Sequence, residues 1–189
     1  MSEVFPQLFL GNESVHSKEI IDKLGITHVV HITGKSEGSD SLGLFADLAS
    51  STFGGGVGSS GAGAGEEGTT ATQQAVEGWQ GQYMGYRLRD LPSQDLAAAI
   101  DSTTTFINSA LDSSSSRVLV FSQEGVSRAP AVVLAFLLLK KNLTLRDAFV
   151  TVHSKYKTCS PNNGFMRQLM DIEKSQQGSC SVDAAFFQG

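Results

Sequence analysis

The chain has 189 residues, 40% of them hydrophobic, and a formal net charge of −5. This is enough for one domain with a substantial core, and the acidic balance gives no basic surface of the kind that binds nucleic acid or anionic membranes. The two cysteines, Cys159 and Cys180, are too few for a disulfide framework, so we expect two free thiols and a reducing compartment.

The N-terminal segment predicts a strand, a helix and a second strand. Residues 8–10 are Leu-Phe-Leu and form a short strand before a Gly-Asn turn. A helix over 14–24 ends at a glycine, which is typical of helix C-termini, and 26–32 is a buried strand. His28 and His31 lie three positions apart on that strand and therefore point to opposite faces, which argues against a metal pair.

A change of composition follows at about 34–82, around the run GGGVGSSGAGAGEEGTTATQQ. We predict that this segment is a flexible insertion in a domain that spans 1–175, and that 176–189 is a flexible C-terminal tail. The start, MSEVFPQLFLGN, has no basic region followed by an apolar core, and the longest apolar run, 129–139, is shorter than the roughly 20 residues of a membrane span. We therefore expect a soluble cytoplasmic or nuclear protein.

Residues 83–88 predict another strand, and the sequence Arg-Asp-Leu-Pro at 89–92 predicts the loop after it. Taken alone, Asp90 in this loop is most simply a turn aspartate. The apolar positions of 96–111 have helical spacing, which indicates a helix with one buried face.

The most informative stretch is a strand, a seven-residue loop and a helix. Val118–Phe121 is a run typical of a strand buried on both faces, and 129–141 is an apolar helix with a proline in its first turn. The loop between them ends at a helix N-terminus, where backbone amides and the helix dipole favour an anion. The candidate phosphate-binding residues are Gln123, Glu124, Gly125, Val126, Ser127 and Arg128. The spacing alone equally fits an ordinary turn with a surface arginine.

Two more helices follow. Thr144 begins a capping-box-like start to a helix over 145–156. Pro161 and Asn162 open the last predicted helix, in which Asn162 is a candidate N-cap. Cys159, in the loop between these helices, has no phosphate-loop spacing around it, so we do not interpret it as a nucleophile.

The stretch FSQEGVSR resembles the signature of the cysteine-dependent protein tyrosine phosphatases, His-Cys, five residues, Arg. It is similar to their dual-specificity form, in which Ser or Thr precedes the arginine, as Ser127 does. The likeness extends over FLGN, ITHVVHITG, YRLRDLPSQDL, AFLLLKKNLTLRDAF and TCSPNNGFMRQLMDIE. The resemblance implies an α/β three-layer fold, with a central mixed sheet of about five strands flanked by helices. It also implies that Asp90 is at the general-acid position, that Ser127 is a catalytic residue as well as a phosphate-binding one, and that Asn162 supports the loop.

The chain departs from this family at two adjacent positions. Phe121 stands where the family has its histidine, and Ser122 stands where the family has its nucleophilic cysteine. A cysteine at a helix N-terminus forms a thiolate readily, whereas a serine hydroxyl needs an adjacent base, which phenylalanine cannot supply. In this respect the chain resembles the STYX-type pseudophosphatases, which keep the dual-specificity fold and lack the cysteine.

We therefore expect a non-enzyme that binds phosphorylated proteins or peptides through 122–128, with protein kinases or other signalling proteins as partners and no cofactor or metal. Two alternatives stay open. One is an active phosphatase in which Ser122 is a substitution for cysteine, although such a variant would normally keep its histidine. The other is an interaction scaffold whose phosphate loop is unused.

Overall fold

The computed structural model describes residues 1–15, 17–34, 79–183 and 186. Within them the chain forms a five-stranded sheet with the spatial order β1-β2-β5-β3-β4. The strands are β1 Ser2–Phe5, β2 Leu8–Asn12, β3 His28–Thr33, β4 Gln82–Arg87 and β5 Val118–Ser122. Only β1 is antiparallel to its neighbour, so the sheet is mixed. Most of the predicted insertion at 34–82 lies outside the described residues, so the prediction made for it is not tested.

The helices are α1 Lys18–Leu24, α2 Ala97–Leu111, α3 Arg128–Lys141, α4 Leu145–Lys155 and α5 Asn163–Gln177, with a short 3-10 turn at Glu13–Val15. Helix α3 is buried on every side up to Leu138, because α2, α4, α5 and the sheet surround it. The described helices include none that is both apolar enough and long enough to cross a bilayer.

The period of two along each strand divides the core between the two faces of the sheet. On β5, Val118 and Val120 belong to the large cluster formed with α2–α5, whereas Leu119 and Phe121 belong to a smaller cluster with Ile21 of α1. This confirms the predicted α/β arrangement of a mixed five-stranded sheet flanked by helices.

His28 and His31 also follow this alternation. The His28 ring contacts Phe106 of α2 edge-on at 5.6 Å, and the His31 ring stacks on Phe121 on the other face of the sheet. The two imidazoles therefore lie on opposite faces of the sheet, as predicted.

The segment after α5 packs back onto the domain through Glu173. The Glu173 side chain is fully buried and accepts hydrogen bonds from the backbone amides of Leu145 (2.8 Å) and Ser181 (2.9 Å). Val182 is buried, and the Arg146 guanidinium lies 4.5 Å above the Phe186 ring. The prediction of a flexible tail at 176–189 concerns motion and stays a prediction.

Candidate functional site

The site lies at the carboxyl end of β5, the central strand of the sheet. Ser122 is the last residue of β5, and its side chain is only 1% exposed. Because Phe121 points to the other face, Ser122 points toward α3, and its Oγ accepts a hydrogen bond of 3.4 Å from the Ala129 amide in the first turn of that helix. The hydroxyl therefore lies at a helix N-terminus, where the helix dipole stabilises negative charge.

Gly125 gives the loop its tight turn. Its φ is +70°, a backbone region that favours glycine, and a Cβ at this position would lie 2.6 Å from the Gly11 carbonyl oxygen and against the Tyr156 hydroxyl. The loop therefore passes between β2 and the segment after α4 with no room for a side chain at its centre.

Two carbonyl groups of the loop are directed outward and are fixed by neighbouring segments. The Gln123 carbonyl accepts from the Glu13 amide (3.1 Å), and the Val126 carbonyl accepts from the Ser160 amide (2.9 Å). Within the described part of the chain, the amides of 124–128 donate to no backbone or side-chain group. The loop thus offers a set of backbone donors in front of α3, which is the chemistry of an anion site.

Arg128 is the first residue of α3 and is 7% exposed. Its Nε has no hydrogen-bond partner among the described residues and lies 3.9 Å from Asp90 Oδ2. A buried guanidinium nitrogen without a partner is costly, and a bidentate oxyanion is the ligand that its planar donors match best.

Asp90, Ser127 and Asn162 form a hydrogen-bonded cluster beside Arg128. The Ser127 hydroxyl donates to Asp90 Oδ1 (2.7 Å) and accepts from the Asn162 amide (3.0 Å). The Asn162 side-chain amide donates to the same Asp90 oxygen (2.7 Å). These hydrogen bonds hold the Asp90 carboxylate in place. The Asp90 side chain remains 38% exposed, so it lies at the entrance of the site.

Asn162 has a second role at the start of α5. Its Oδ1 accepts from the amides of Gly164 (2.9 Å) and Phe165 (3.0 Å), which makes it the N-cap of that helix. The two roles that the sequence left as alternatives, support of the loop and capping, are therefore filled by one side chain.

Phe121 does not line the site. Its ring is fully buried on the other face of the sheet and stacks on His31, with ring centroids 4.4 Å apart and an interplanar angle of 8°. The His31 ring nitrogen Nδ1 is 2.9 Å from the Tyr83 hydroxyl. This pairing was not predicted from the sequence, because it depends on the register of the parallel strands β3 and β5, which places His31 opposite Phe121.

Cys159 is excluded as a displaced nucleophile by its surroundings. It is 2% exposed, and burial raises the pKa of its thiol to about 12. The thiol is therefore protonated near neutral pH and is a poor nucleophile.

Five residues of the predicted site lie together at the carboxyl end of β5 and the start of α3: Ser122, Asp90, Ser127, Arg128 and Asn162. The side chains of Gln123 and Glu124 are instead exposed to solvent. Gly34, which follows β3, also contacts the site and was not predicted from the sequence. A Cβ at Gly34 would lie 2.7 Å from Arg128 Nη1. The sequence contained no local signal for this contact, because it depends on how α3 packs on the sheet.

The amino-acid sequence of the chain is similar to those of one known protein family. Residues 68–175 match the model of the dual specificity phosphatase catalytic domain. Dual specificity protein phosphatase 13B of Mus musculus is 32% identical over 174 residues, which cover 92% of this chain and 72% of the relative. Dual specificity protein phosphatase 26 of Bos taurus is 29% identical, with 91% of this chain and 66% of the relative covered.

Solved structures support the same fold. The human tyrosine phosphatase-like serine/threonine/tyrosine-interacting protein is 25% identical, with a TM-score of 0.66 and coverage of 94% of this chain and 97% of that one. Human DUSP28 is 24% identical, with a TM-score of 0.66 and coverage of 93% and 94%.

The prediction that the chain is not an enzyme is wrong on this comparison. It depended on two residues, Phe121 and Ser122, whereas the match extends over most of the chain. The family model that matches is that of a catalytic domain, and the two relatives described above are named as phosphatases.

Proposed function

Because the chain belongs to the dual-specificity phosphatase catalytic-domain family, we propose that it acts on phosphorylated serine, threonine or tyrosine side chains of proteins and receives their phosphate in the loop 122–128. The observation that carries the proposal is Arg128, a nearly buried guanidinium whose Nε has no partner among the described residues. It lies at the N-terminus of α3, beside backbone amides that have no partner in the described part of the chain.

The binding step uses charge and donors that are already in place. A phosphate monoester carries a charge near −2 at neutral pH, and the loop amides, the helix dipole and Arg128 all favour that charge. The chain as a whole is acidic, so the attraction for an anion comes from this local positive region and not from the net charge. None of these groups depends on which atom the side chain at 122 carries.

The hydrolytic step depends on that atom. We write the proposed reaction for a thiolate at 122, because the Ser122 hydroxyl would first have to give its proton to a base. The thiolate attacks phosphorus, the bond from phosphorus to the ester oxygen breaks, and protonated Asp90 gives its proton to the departing oxygen. Water then attacks the phosphoenzyme and gives a proton to the Asp90 carboxylate, which releases inorganic phosphate and restores the thiolate. The family match favours the interpretation that Ser122 replaces a cysteine in a phosphatase domain, since Asp90, Ser127 and Arg128 lie together at the end of the loop that Ser122 begins.

Replacing Arg128 with methionine is expected to weaken binding of a phosphorylated peptide by about 30-fold to 1000-fold, because a buried charge pair of this kind is worth about 2–4 kcal/mol. Binding would be measured by fluorescence anisotropy with phosphotyrosine, phosphothreonine and unphosphorylated versions of one peptide. Arg117→Met is the matched control, because Arg117 is exposed at the other end of β5, where it donates to the Leu24 carbonyl.

The peptides also separate the alternatives. Equal affinity of the unaltered chain and of the Arg128→Met variant for a phosphorylated peptide would mean that the loop is unused and that the domain is an interaction scaffold. Equal affinity for the phosphorylated and unphosphorylated peptides would overturn the proposed phosphate recognition.

A further inference from the structure

Gly34 lies at the end of β3, directly against the side chain of Arg128. A Cβ built at Gly34 would lie 2.7 Å from Arg128 Nη1 and 3.6 Å from Cζ, and 3.9 Å from the Leu88 carbonyl oxygen after β4. The guanidinium therefore fills the space that a side chain at 34 would need. Gly34 and Arg128 are far apart in the sequence, so this contact joins the end of β3 to the first turn of α3.

The backbone does not itself require glycine at this position. The φ of Gly34 is outside the left-handed region, in contrast to Gly25 and Gly125, so alanine can adopt the same conformation. The atoms that a methyl group would meet first are the far end of a flexible side chain, which can move at little cost to the fold. The expected consequence of a methyl group is therefore a displaced guanidinium and not an unfolded protein.

A displaced guanidinium would change its position relative to Asp90. Its Nε lies 3.9 Å from Asp90 Oδ2, beyond hydrogen-bond distance, and Asp90 itself is held by Ser127 and Asn162. A bidentate contact with an oxyanion requires both nitrogens to be placed well, and a displacement of about 1 Å is enough to remove most of its advantage.

We propose that Gly34 is a positioning residue for phosphate recognition: its missing side chain lets the Arg128 guanidinium lie against the ends of β3 and β4, beside Asp90. The inference rests on the proposed function and identifies a second segment, the end of β3, that determines affinity for the phosphate group. The sequence motif of the loop does not include this position.

The test is Gly34→Ala, measured with the phosphotyrosine peptide by anisotropy and with inorganic phosphate by thermal shift. We expect peptide affinity to fall at least tenfold, the midpoint of unfolding without ligand to change by less than about 3 °C, and the phosphate-induced shift to become smaller. Gly85→Ala is the control, because Gly85 is a strand glycine of β4 whose added Cβ makes ordinary contacts of 3.4 Å or more.

A double-mutant cycle shows whether Gly34 acts through Arg128. In an Arg128→Lys background, which keeps the charge and lacks the planar fork, Gly34→Ala is expected to cause less than a twofold further loss. An equal loss in both backgrounds would overturn the inference, as would unchanged affinity of the single variant or a midpoint lowered by more than 5 °C. Failure of the unaltered chain to bind the phosphorylated peptide would instead overturn the proposed function, and the inference with it.

Discussion

Ser122→Cys is expected to raise the rate of aryl phosphate hydrolysis by at least about 10³-fold, since loss of a catalytic nucleophile can cost on the order of 10⁶. A thiol at 122 would lie at the N-terminus of α3, within reach of the Ala129 amide, an environment that favours the thiolate. A thiolate also leaves phosphorus more readily than an alkoxide does. Steady-state hydrolysis of p-nitrophenyl phosphate, with kcat and KM determined separately, measures the effect.

The controls separate chemistry from binding. Ser122→Ala should bind the phosphorylated peptide within a fewfold of the unaltered chain, because Arg128 and the loop amides are unchanged. Asp90→Asn in the Ser122→Cys background should lower kcat by roughly 10²-fold to 10⁴-fold if Asp90 supplies the proton. A Ser122→Cys variant that binds the peptide and shows no gain in turnover would contradict the assignment of 122 as the nucleophile position.

Glu173→Ala is expected to lower the free energy of unfolding by about 3 to 5 kcal/mol, the largest effect on stability that we predict. The substitution leaves the buried amides of Leu145 and Ser181 without their acceptor, and it opens a cavity under the C-terminal segment. Urea denaturation at pH 7 measures the loss. Glu19→Ala on α1 is the control, because Glu19 is exposed and its removal should change stability by less than about 0.5 kcal/mol.

The same carboxylate predicts how stability depends on pH. Burial alone would raise the pKa of Glu173, but the hydrogen bonds from the Ser181 and Leu145 amides outweigh it and hold the pKa below its usual value of 4.5. A group whose pKa is lower in the folded state stabilises fully above its unfolded pKa and loses that contribution as pH falls through the folded pKa. The stability difference between the unaltered chain and Glu173→Gln should therefore shrink below pH 4.5. A constant difference from pH 7 to pH 3 would contradict this.

The elements that could be predicted from the sequence are those whose pattern is local. The run Val118–Phe121 and the apolar helix after it, up to Leu138, are buried on all sides, so composition alone identifies them. The residues of the loop are contiguous, so their spacing indicated an anion site before any contact was known. Strand β1, Ser2–Phe5, was missed, because it is a short edge strand without a clear alternating pattern.

The parts that could not be predicted depend on contacts between distant segments. Nothing near Gly34 in the sequence indicates that the Arg128 guanidinium will lie against it. Phe121 was interpreted as a change beside the nucleophile position, whereas the pleat of β5 turns its ring away into the smaller cluster. The function was harder to predict than the fold. Phe121 and Ser122 suggested a non-enzyme, whereas the match over most of the chain indicates a phosphatase domain.

Asn162 couples the folding of the last helix to the shape of the site entrance. One side chain both starts α5 and fixes the carboxylate of Asp90. A substitution at 162 therefore cannot loosen the start of α5 without also releasing that carboxylate.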